Sequence, residues 1–274
     1  MEDTSKYPKI IYKYRSWTNE FHKDVLINNK LFMASPKDCN DPFDCRIPTN
    51  YFLLDSSEKI DRYAQSFIDR HKDFFIARGL DLANEKNLLI KDLVQDLDSV
   101  QKKHEHDLYI SQDNHHGILS LSARWNSILM WSHYVDFHKG YCVGFWEEKM
   151  RNSGLFGKGG PVTYNPENNY PIISPLDMDK NTIEKGFKET HTKLNEWEYE
   201  KEYRLFNLLF PALPKIETRT IPFPDNFFAE IVIGLSTSEQ HKKEIIYHAQ
   251  EKGIKIYQAK KVPFKFEITR EEIV

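Results

Sequence analysis

The chain has 274 residues, a formal net charge of −3 and a hydrophobic fraction of 40%. This length fits one large domain or two small ones, and the balance of apolar and charged residues is globular rather than disordered. The small negative charge argues against a protein that tracks nucleic-acid phosphates, because such proteins carry a basic stripe. The three cysteines have no C-x-x-C spacing, which argues against a disulfide framework and a zinc site.

The amino-terminal segment gives an expectation about location. Met1–Lys9 is polar and has no apolar signal-peptide core. No apolar run in the chain approaches the roughly 20 residues needed to cross a bilayer. We therefore expect a cytoplasmic protein without a membrane partner.

The first 38 residues predict two short strands around a helix. Lys9–Tyr14 is β-prone, and Leu31–Ala34 predicts a second strand. The apolar spacing within Asn19–Asn29 is typical of a short amphipathic helix. Ser35–Asp38 then interrupts regular structure.

Residues 56–106 contain the strongest helical pattern of the chain. Apolar residues recur at helical spacing on both sides of Gly79–Asp81, which predicts two helices separated by a turn. We interpret this block as an antiparallel helical pair inserted between β elements. Plain packing or a lid would account for its residues.

The remaining sequence predicts mainly strands. The predicted strands are Gly117–Ser122, Tyr141–Phe145, Glu202–Phe210, Ile216–Ile221, Phe228–Gly234, Ile254–Gln258 and Phe264–Ile268. The predicted helices are Asn126–Tyr134, Asp179–Asn195 and Ser238–Lys252, the last with Gly253 as its stop. The Gly-rich segment Asn152–Pro161 is expected to be flexible. No linker divides the chain, so we predict a single α+β domain over 1–274, with a mixed, mainly antiparallel sheet and the 56–106 insertion.

The loop Asn40–Asp44 is the first candidate for a site. Asp41 and Asp44 flank a turn in which Pro42 favours extended geometry for Asp41. The carboxylates can hold a ligand or orient a site arginine. Turn chemistry alone is the alternative, because Asn40 can form an Asx-turn.

The segment Ser120–Tyr134 supplies the second candidate. Ser120 and Ser122 share one face of a predicted strand, where two hydroxyls can position a ligand or a carboxylate. A solvent-facing strand is the alternative. Trp131 and Tyr134 lie on a predicted helix and can stack on a flat ring, or Trp131 can belong to the core.

The third candidate is the segment Trp197–Arg204, predicted to be a strand. Glu200, Glu202 and Arg204 then share one face, and two like charges there repel unless a cation or ligand relieves them. Arg15 or Arg204 can supply that charge. A solvent-facing charged strand is the alternative.

Together these segments resemble a bacterial family, the domain-of-unknown-function family 2971. The resemblance rests on Tyr12–Arg15, Asn40–Asp44, Met130–Tyr134 with His138–Gly140, and Trp197–Arg204, and it spans Ile10 to Ile268. It implies a setting in phage defence and little defined chemistry.

The order of three short motifs also resembles ADP-ribosyltransferases of the Arg–Ser–Glu type. Arg15 stands for the first-strand arginine, Ser120-Leu121-Ser122 for the Ser-x-Ser strand and Glu200-Lys201-Glu202 for Glu-x-Glu. Leu121 departs from the usual Thr, and the helical insertion stretches the spacing. The resemblance implies an ADP-ribosyltransferase-like fold that cleaves NAD, with no metal, and transfers ADP-ribose to an unknown protein or nucleic acid.

In this interpretation Glu202 stabilises the positive charge that develops on the ribose, and Glu200 orients the acceptor. Arg15 clamps the pyrophosphate, and Tyr134 or Trp131 stacks on nicotinamide. The residues predicted to bind the dinucleotide are Arg15, Asn40, Asp41, Asp44, Ser120, Ser122, Trp131, Tyr134 and Arg204.

Two other functions stay open at the level of sequence. The same residues can form a non-catalytic pocket that senses a nucleotide or another ligand in a defence system. A metal-dependent nuclease would use Asp41, Asp44 and Glu200, although the chain lacks a lysine-bearing nuclease pattern.

Overall fold

A computed structural model describes residues 7–167, 169–177, 182–210 and 213–273. The chain divides into two compact units. The first, which we call the sheet unit, lies within residues 1–40, 114–168 and 193–274. The second, which we call the helical unit, lies within residues 41–113 and 169–192.

The regular elements follow in chain order. The strands are β1 (Ile10–Arg15), β2 (Lys30–Phe32), β3 (His116–Ser122), β4 (Tyr141–Trp146), β5 (Lys158–Pro161), β6 (Thr163–Asn165), β7 (Thr192–Leu194), β8 (Glu202–Leu208), β9 (Thr220–Pro222), β10 (Phe228–Ile233), β11 (Lys255–Lys261) and β12 (Ile268–Glu272). The helices are α1 (Glu20–Ile27), α2 (Ser57–Arg70), α3 (Lys72–Ala77), α4 (Leu82–Gln95), α5 (Leu97–His115), α6 (Ile128–Tyr134), α7 (Glu147–Asn152), α8 (Thr182–Thr190), α9 (Ile216–Arg219) and α10 (Glu239–Glu251).

One large sheet organises the sheet unit. Its eight strands lie in the order β12-β11-β10-β4-β1-β3-β8-β5. Neighbours run antiparallel except β10 and β11, which are parallel and joined through α10. A helical crossover is the usual connection between parallel strands. The predicted α+β class and the mixed, mainly antiparallel sheet are confirmed, whereas an ADP-ribosyltransferase-like fold is not.

The two faces of this sheet bury different clusters, because side chains alternate along each strand. One face buries Ile11, Val143 and Leu205 together with Leu26 of α1 and Ile245 of α10. The other buries the residues Tyr12, Tyr14, Trp131, Cys142 and Val232. Each large apolar side chain buried in this way contributes about 1.5–3 kcal/mol.

The helical unit has its own core and more breaks than expected. Tyr51, Tyr63 and Leu93 are buried in it, and the hydroxyls of Tyr51 and Tyr63 are 3.0 Å apart. The segment predicted to form two helices forms four, because His71 interrupts the first predicted helix and Asp96 interrupts the second. Asp96 starts a new helix by accepting the backbone N–H of Ser99 at 3.0 Å, as an N-cap does. The final helix then continues to His115.

Two predicted elements near the site have different structures. Asn152–Pro161 was expected to be flexible but contains β5, which pairs with β8. A Cβ on Gly159 would lie 2.4 Å from the backbone oxygen of Arg204, so glycine permits this close approach. Within Asp179–Asn195, residues 179–181 lie outside the described residues, and α8 ends before β7 begins at Thr192.

Two predicted strands in the carboxy-terminal part are wrong in their bounds. Ile216–Arg219 is a helical turn, and the strand begins at Thr220. The turn places the buried Arg219 guanidinium near the carbonyl of His116, to which it donates at 2.8 Å. Phe264–Ile268 is a hairpin turn in which only Ile268 is a strand residue.

Candidate functional site

Four buried charged residues meet where β8 begins. We call Lys193, Glu200, Glu202 and Arg204 the charge cluster; each side chain is almost fully buried. The amino group of Lys193 lies 2.7 Å from Glu200 Oε2 and 3.0 Å from Glu202 Oε2. Arg204 Nη2 lies 2.7 Å from Glu202 Oε1. Two cations therefore neutralise two carboxylates away from water.

The backbone that builds this cluster is not the continuous strand predicted over Trp197–Arg204. Asn195–Glu200 is a 3₁₀ turn, and Lys201 adopts the left-handed region at φ 43°. The hydroxyl of Ser122 donates to the carbonyl of Glu200 at 2.6 Å, which holds the turn against β3. Glu200 and Glu202 thus converge because the chain turns between them.

The cations determine the protonation of Glu202. Burial alone would raise the pKa of Glu202, but Arg204, Lys193 and a hydrogen bond from Ser120 outweigh burial and hold this pKa at about 2. Ser120 lies directly opposite Arg204, and Ser122 opposite Glu202, on the paired strands β3 and β8. Ser120 is thus the hydroxyl of β3 that hydrogen-bonds a carboxylate of the charge cluster.

Tyr134 and Asn40 form the partly exposed rim of the cluster. Tyr134 Oη donates to Glu200 Oε1 at 2.6 Å, and Asn40 Nδ2 donates to Tyr134 Oη at 3.0 Å. Tyr134 is half-buried, whereas Asn40 is exposed. Burial and the charge of Glu200 raise the pKa of Tyr134, so its hydroxyl keeps its proton.

Aromatic rings continue from this rim. The ring of His133 lies 6.4 Å from that of Tyr134 and 6.2 Å from that of Tyr199. Trp197 follows at 6.0 Å from Tyr199, and Lys193 Nζ lies 4.8 Å from the centroid of Trp197. We call Tyr134, His133, Tyr199 and Trp197 the aromatic row. It joins partly exposed rings to a buried cation.

Arg15 lies on the other face of the sheet from these groups. It is opposite Tyr141, which belongs to the core beneath α1 and α10, whereas Tyr12 is opposite Ser122. Burial lowers the pKa of Arg15 to about 10, and Tyr141 offsets part of this effect. The structure therefore does not bring the Arg15 guanidinium together with Glu202.

Lys13 lies opposite Val143, on the same face of β1 as Arg15, but its amino group reaches toward β3. Its amino group donates to the carbonyl of Ser120, between the Tyr12–Ser122 pair and the Ala34–Ile118 bridge. Burial lowers the pKa of Lys13 well below its ordinary value; Arg15 lowers it further, and Glu202 opposes the shift. The Lys13 side chain lies where the backbones of β1 and β3 diverge after the Tyr12–Ser122 pair.

His22 should make the free energy of unfolding depend on pH between about 6.5 and 4. Burial, Arg15 and Lys13 lower its pKa from 6.5 to about 4, and its Nδ1 accepts the N–H of Ser16 at 3.2 Å. As the pH falls, the unfolded chain therefore binds a proton at this histidine before the folded chain does. The stability that His22 contributes is present above pH 6.5 and is lost as the pH falls through 4. His22→Asn, which keeps an acceptor, should flatten urea-derived stability across this window.

A control separates His22 from other histidines. His133 is exposed, so His133→Asn should leave the dependence of unfolding free energy on pH as in the parent. Equal slopes for the parent and His22→Asn would contradict the assignment.

The other predicted aromatic residue belongs to the core. Trp131 is fully buried, and its indole N–H donates to the carbonyl of Trp125 at 2.7 Å. The ring of Tyr14 meets it edge-on at 5.4 Å, and His138 stacks on it at 5.9 Å. Both neighbours occupy the surface that a ligand ring would need.

The predicted acidic loop contributes to the helical unit. Asp41 and Asp44 are buried there. Asp41 Oδ1 accepts the N–H of Phe43 at 2.9 Å, and the Asp41 carbonyl accepts the N–H of Asp44 at 3.1 Å. These bonds are the turn chemistry that the sequence left as an alternative.

Sequence reasoning missed Lys193, the cation shared by both carboxylates. It lies in the short strand β7, inside a segment predicted to be helical. Lysine is rarely buried unless paired, so a single Lys in a polar segment gives no sequence signal. The repulsion between Glu200 and Glu202 was the only hint that a cation was required.

Three general features bear on the kind of site. Across the described ranges, no group of three or more His, Cys, Asp or Glu side chains is placed to hold a metal ion. No helix within them is long and apolar enough to cross a membrane. The helical unit has a cavity of about 300 Å³ beside Lys185 and Lys188, where Lys188 and Glu184 pair at 3.2 Å. None of the predicted site residues lines it.

Comparison with known proteins adds one family. No curated protein and no solved structure matches the chain. One family model matches a segment that is only part of the chain. This segment includes the aromatic row and the whole charge cluster. Residues 130–205 match the model of DUF2971, a family described as "protein of unknown function".

Proposed function

We propose that the sheet unit is a ligand-sensing module that binds a nucleotide along the aromatic row. The aromatic row beside the charge cluster carries this proposal. Aromatic side chains stack on bases of any type, each stack contributing about 1–3 kcal/mol. The second amide N–H of Asn40 can donate to a ribose or phosphate oxygen, and the Tyr134 hydroxyl, whose proton goes to Glu200, can accept from a ribose hydroxyl.

Binding without chemistry fits the charge cluster better than catalysis does. Arg204 already engages Glu202 Oε1, and Lys193 lies 3.0 Å from Glu202 Oε2. A carboxylate that stabilises a developing positive charge must face that charge, whereas this one faces two protein cations. The neutralised pair fixes the position of Tyr134 instead.

NAD cleavage by an ADP-ribosyltransferase-like reaction is the second candidate. The motifs lie on three neighbouring strands, β1, β3 and β8, and Ser122 is in register with Glu202. Glu202 would stabilise the ribose cation. The acceptor, an unidentified protein or nucleic acid, and a role in phage defence are parts of this proposal.

One titration tests ligand binding. NAD, and separately adenosine monophosphate, should raise the melting temperature, since a ligand at one hundred times its Kd stabilises the folded state by about 2.7 kcal/mol. Tyr134→Phe and Trp197→Ala should each weaken binding about tenfold through a lost hydrogen bond or stack. Tyr247→Phe, on the exposed surface of α10, is the matched control and should bind normally.

Measuring free nicotinamide in the same samples separates the two candidates. Binding without nicotinamide release supports the sensing module. Release that Glu202→Gln abolishes, with the fold intact by circular dichroism, would establish NAD cleavage at this site instead. Absence of any shift with either nucleotide would reject a nucleotide site at the aromatic row.

A further inference from the structure

Two loops project from the same end of the large sheet. Ile233, at the end of β10, is paired with Tyr141 on one side and with Gln258 on the other. The loop 136–139 precedes Tyr141, and the hairpin turn 262–267 follows β11. Lys261 is close enough to His138 to lower its pKa, in addition to the larger effect of burial. Both loops therefore lie at one end of the sheet unit.

Each loop presents phenylalanine to solvent. Phe264 and Phe266 are 108% and 101% exposed, so neither ring packs on the protein. Phe137 is 70% exposed. Single exposed apolar residues are ordinary, but three large rings on two adjacent loops are typical of an interaction surface.

The backbone at these rings is held in an unfavourable conformation. Phe264 has φ 61° and follows Pro263 in a turn closed by the N–H of Lys265 and the carbonyl of Val262 at 3.3 Å. Glycine is the residue that this turn position favours. Phe137 has φ 55°, between two other left-handed residues. Because the Phe264 ring makes no packing contact, folding stability does not account for phenylalanine there.

The charges near the rings favour an anionic partner. Four exposed lysines lie in or next to the same two loops, namely Lys139, Lys260, Lys261 and Lys265, and these loops also contain Asp136 and Glu267. Lys260 and Lys265 lie 3.6 Å and 4.0 Å from Glu271 and Glu267. Within the described residues, Lys139 and Lys261 have no carboxylate at salt-bridge distance. Exposed phenylalanine beside lysine is the composition of segments that lie in the interface of an anionic bilayer.

We propose that the surface formed by Phe137, Phe264, Phe266 and these four lysines docks on an anionic phospholipid bilayer. The rings enter the boundary between headgroups and acyl chains, and the ammonium groups contact the lipid phosphates. No segment crosses the membrane in this arrangement. The proposal departs from the sequence expectation of no membrane partner and is independent of the ligand site.

Co-sedimentation of the full chain with vesicles tests it. The protein should pellet with vesicles of equal parts phosphatidylcholine and phosphatidylserine at low salt, and stay in solution with phosphatidylcholine alone. Phe264→Ser with Phe266→Ser should reduce partitioning at least about tenfold, since burial of each ring is lost. Lys261→Glu should reduce it about fivefold or more, because each basic residue near an anionic surface adds about that factor.

Matched variants exclude general effects. Phe21→Ser removes a ring that is 78% exposed on α1, and Lys255→Glu changes a lysine at the opposite end of β11. Both should bind vesicles normally. Phe264→Gly should raise the melting temperature by relieving the turn, yet weaken vesicle binding, which separates docking from folding.

Two outcomes would overturn the proposal. One is equal partitioning of the parent and the Phe264/Phe266 double variant. The other is a parent that ignores anionic vesicles but self-associates in size-exclusion chromatography with light scattering, with the double variant monomeric. That second result would assign the surface to a second copy of this chain.

Discussion

Lys193→Met is expected to destabilise the protein by about 3–5 kcal/mol. Its amino group neutralises Glu200 and Glu202 at the same time, at 2.7 Å and 3.0 Å. Methionine preserves the length of the side chain but leaves two buried carboxylates with one remaining cation, Arg204. The cost is therefore that of an unpaired buried charge, and Glu200 loses its direct ionic partner.

Urea unfolding at neutral pH measures this effect. Lys201→Met is a close control, because Lys201 pairs with Glu198 at 2.6 Å in the adjacent turn but both side chains are about half exposed. Exposed pairs contribute about 1 kcal/mol or less. Adding Glu200→Gln to Lys193→Met should recover part of the loss. A Lys193→Met protein as stable as Lys201→Met would show that water reaches the cluster.

The sheet could be predicted from sequence where strands are buried and long. Tyr141–Phe145 and Phe228–Gly234 were located to within one residue, because continuous apolar runs bounded by polar residues mark interior strands. Phe264–Ile268 failed for the opposite reason. Its alternating aromatic residues have the periodicity of a strand, but Phe264 and Phe266 are exposed to solvent. Periodicity alone cannot distinguish a buried ring from an exposed one.

The site was predicted in part, for a physical reason that concerns charge. Two glutamates two residues apart indicated that a cation was needed, and Arg204 supplies one as expected. Lys193 could not be identified, because the pairing of distant residues leaves no local pattern. Arg15 was placed by analogy of motif order. Strand alternation puts the Arg15 side chain on the same face of the sheet as Tyr141. A shift of one residue in the strand register would reverse this face, and the order of motifs along the chain does not fix that register.

The stability of the folded chain should also fall steeply in acid because of Glu202. Its pKa is about 2 in the folded protein against an ordinary 4.5, so the folded state binds fewer protons than the unfolded chain between these values. The contribution is complete above pH 4.5, is lost as the pH falls through 2, and is on the order of a few kcal/mol. Urea unfolding at successive pH values measures the slope.

Glu202→Gln should lower stability at neutral pH, since Arg204 and Lys193 lose a charged partner, and should flatten the slope between pH 4.5 and 2. Glu198→Gln, a change at an exposed carboxylate of the adjacent turn, should keep the parental slope. The slope is the decisive quantity, because many substitutions in a buried cluster lower absolute stability. If the Glu202→Gln curve ran parallel to that of the parent, Glu202 would have the same, ordinary pKa in the folded and unfolded protein. The cations of the charge cluster would then not lower the pKa of Glu202.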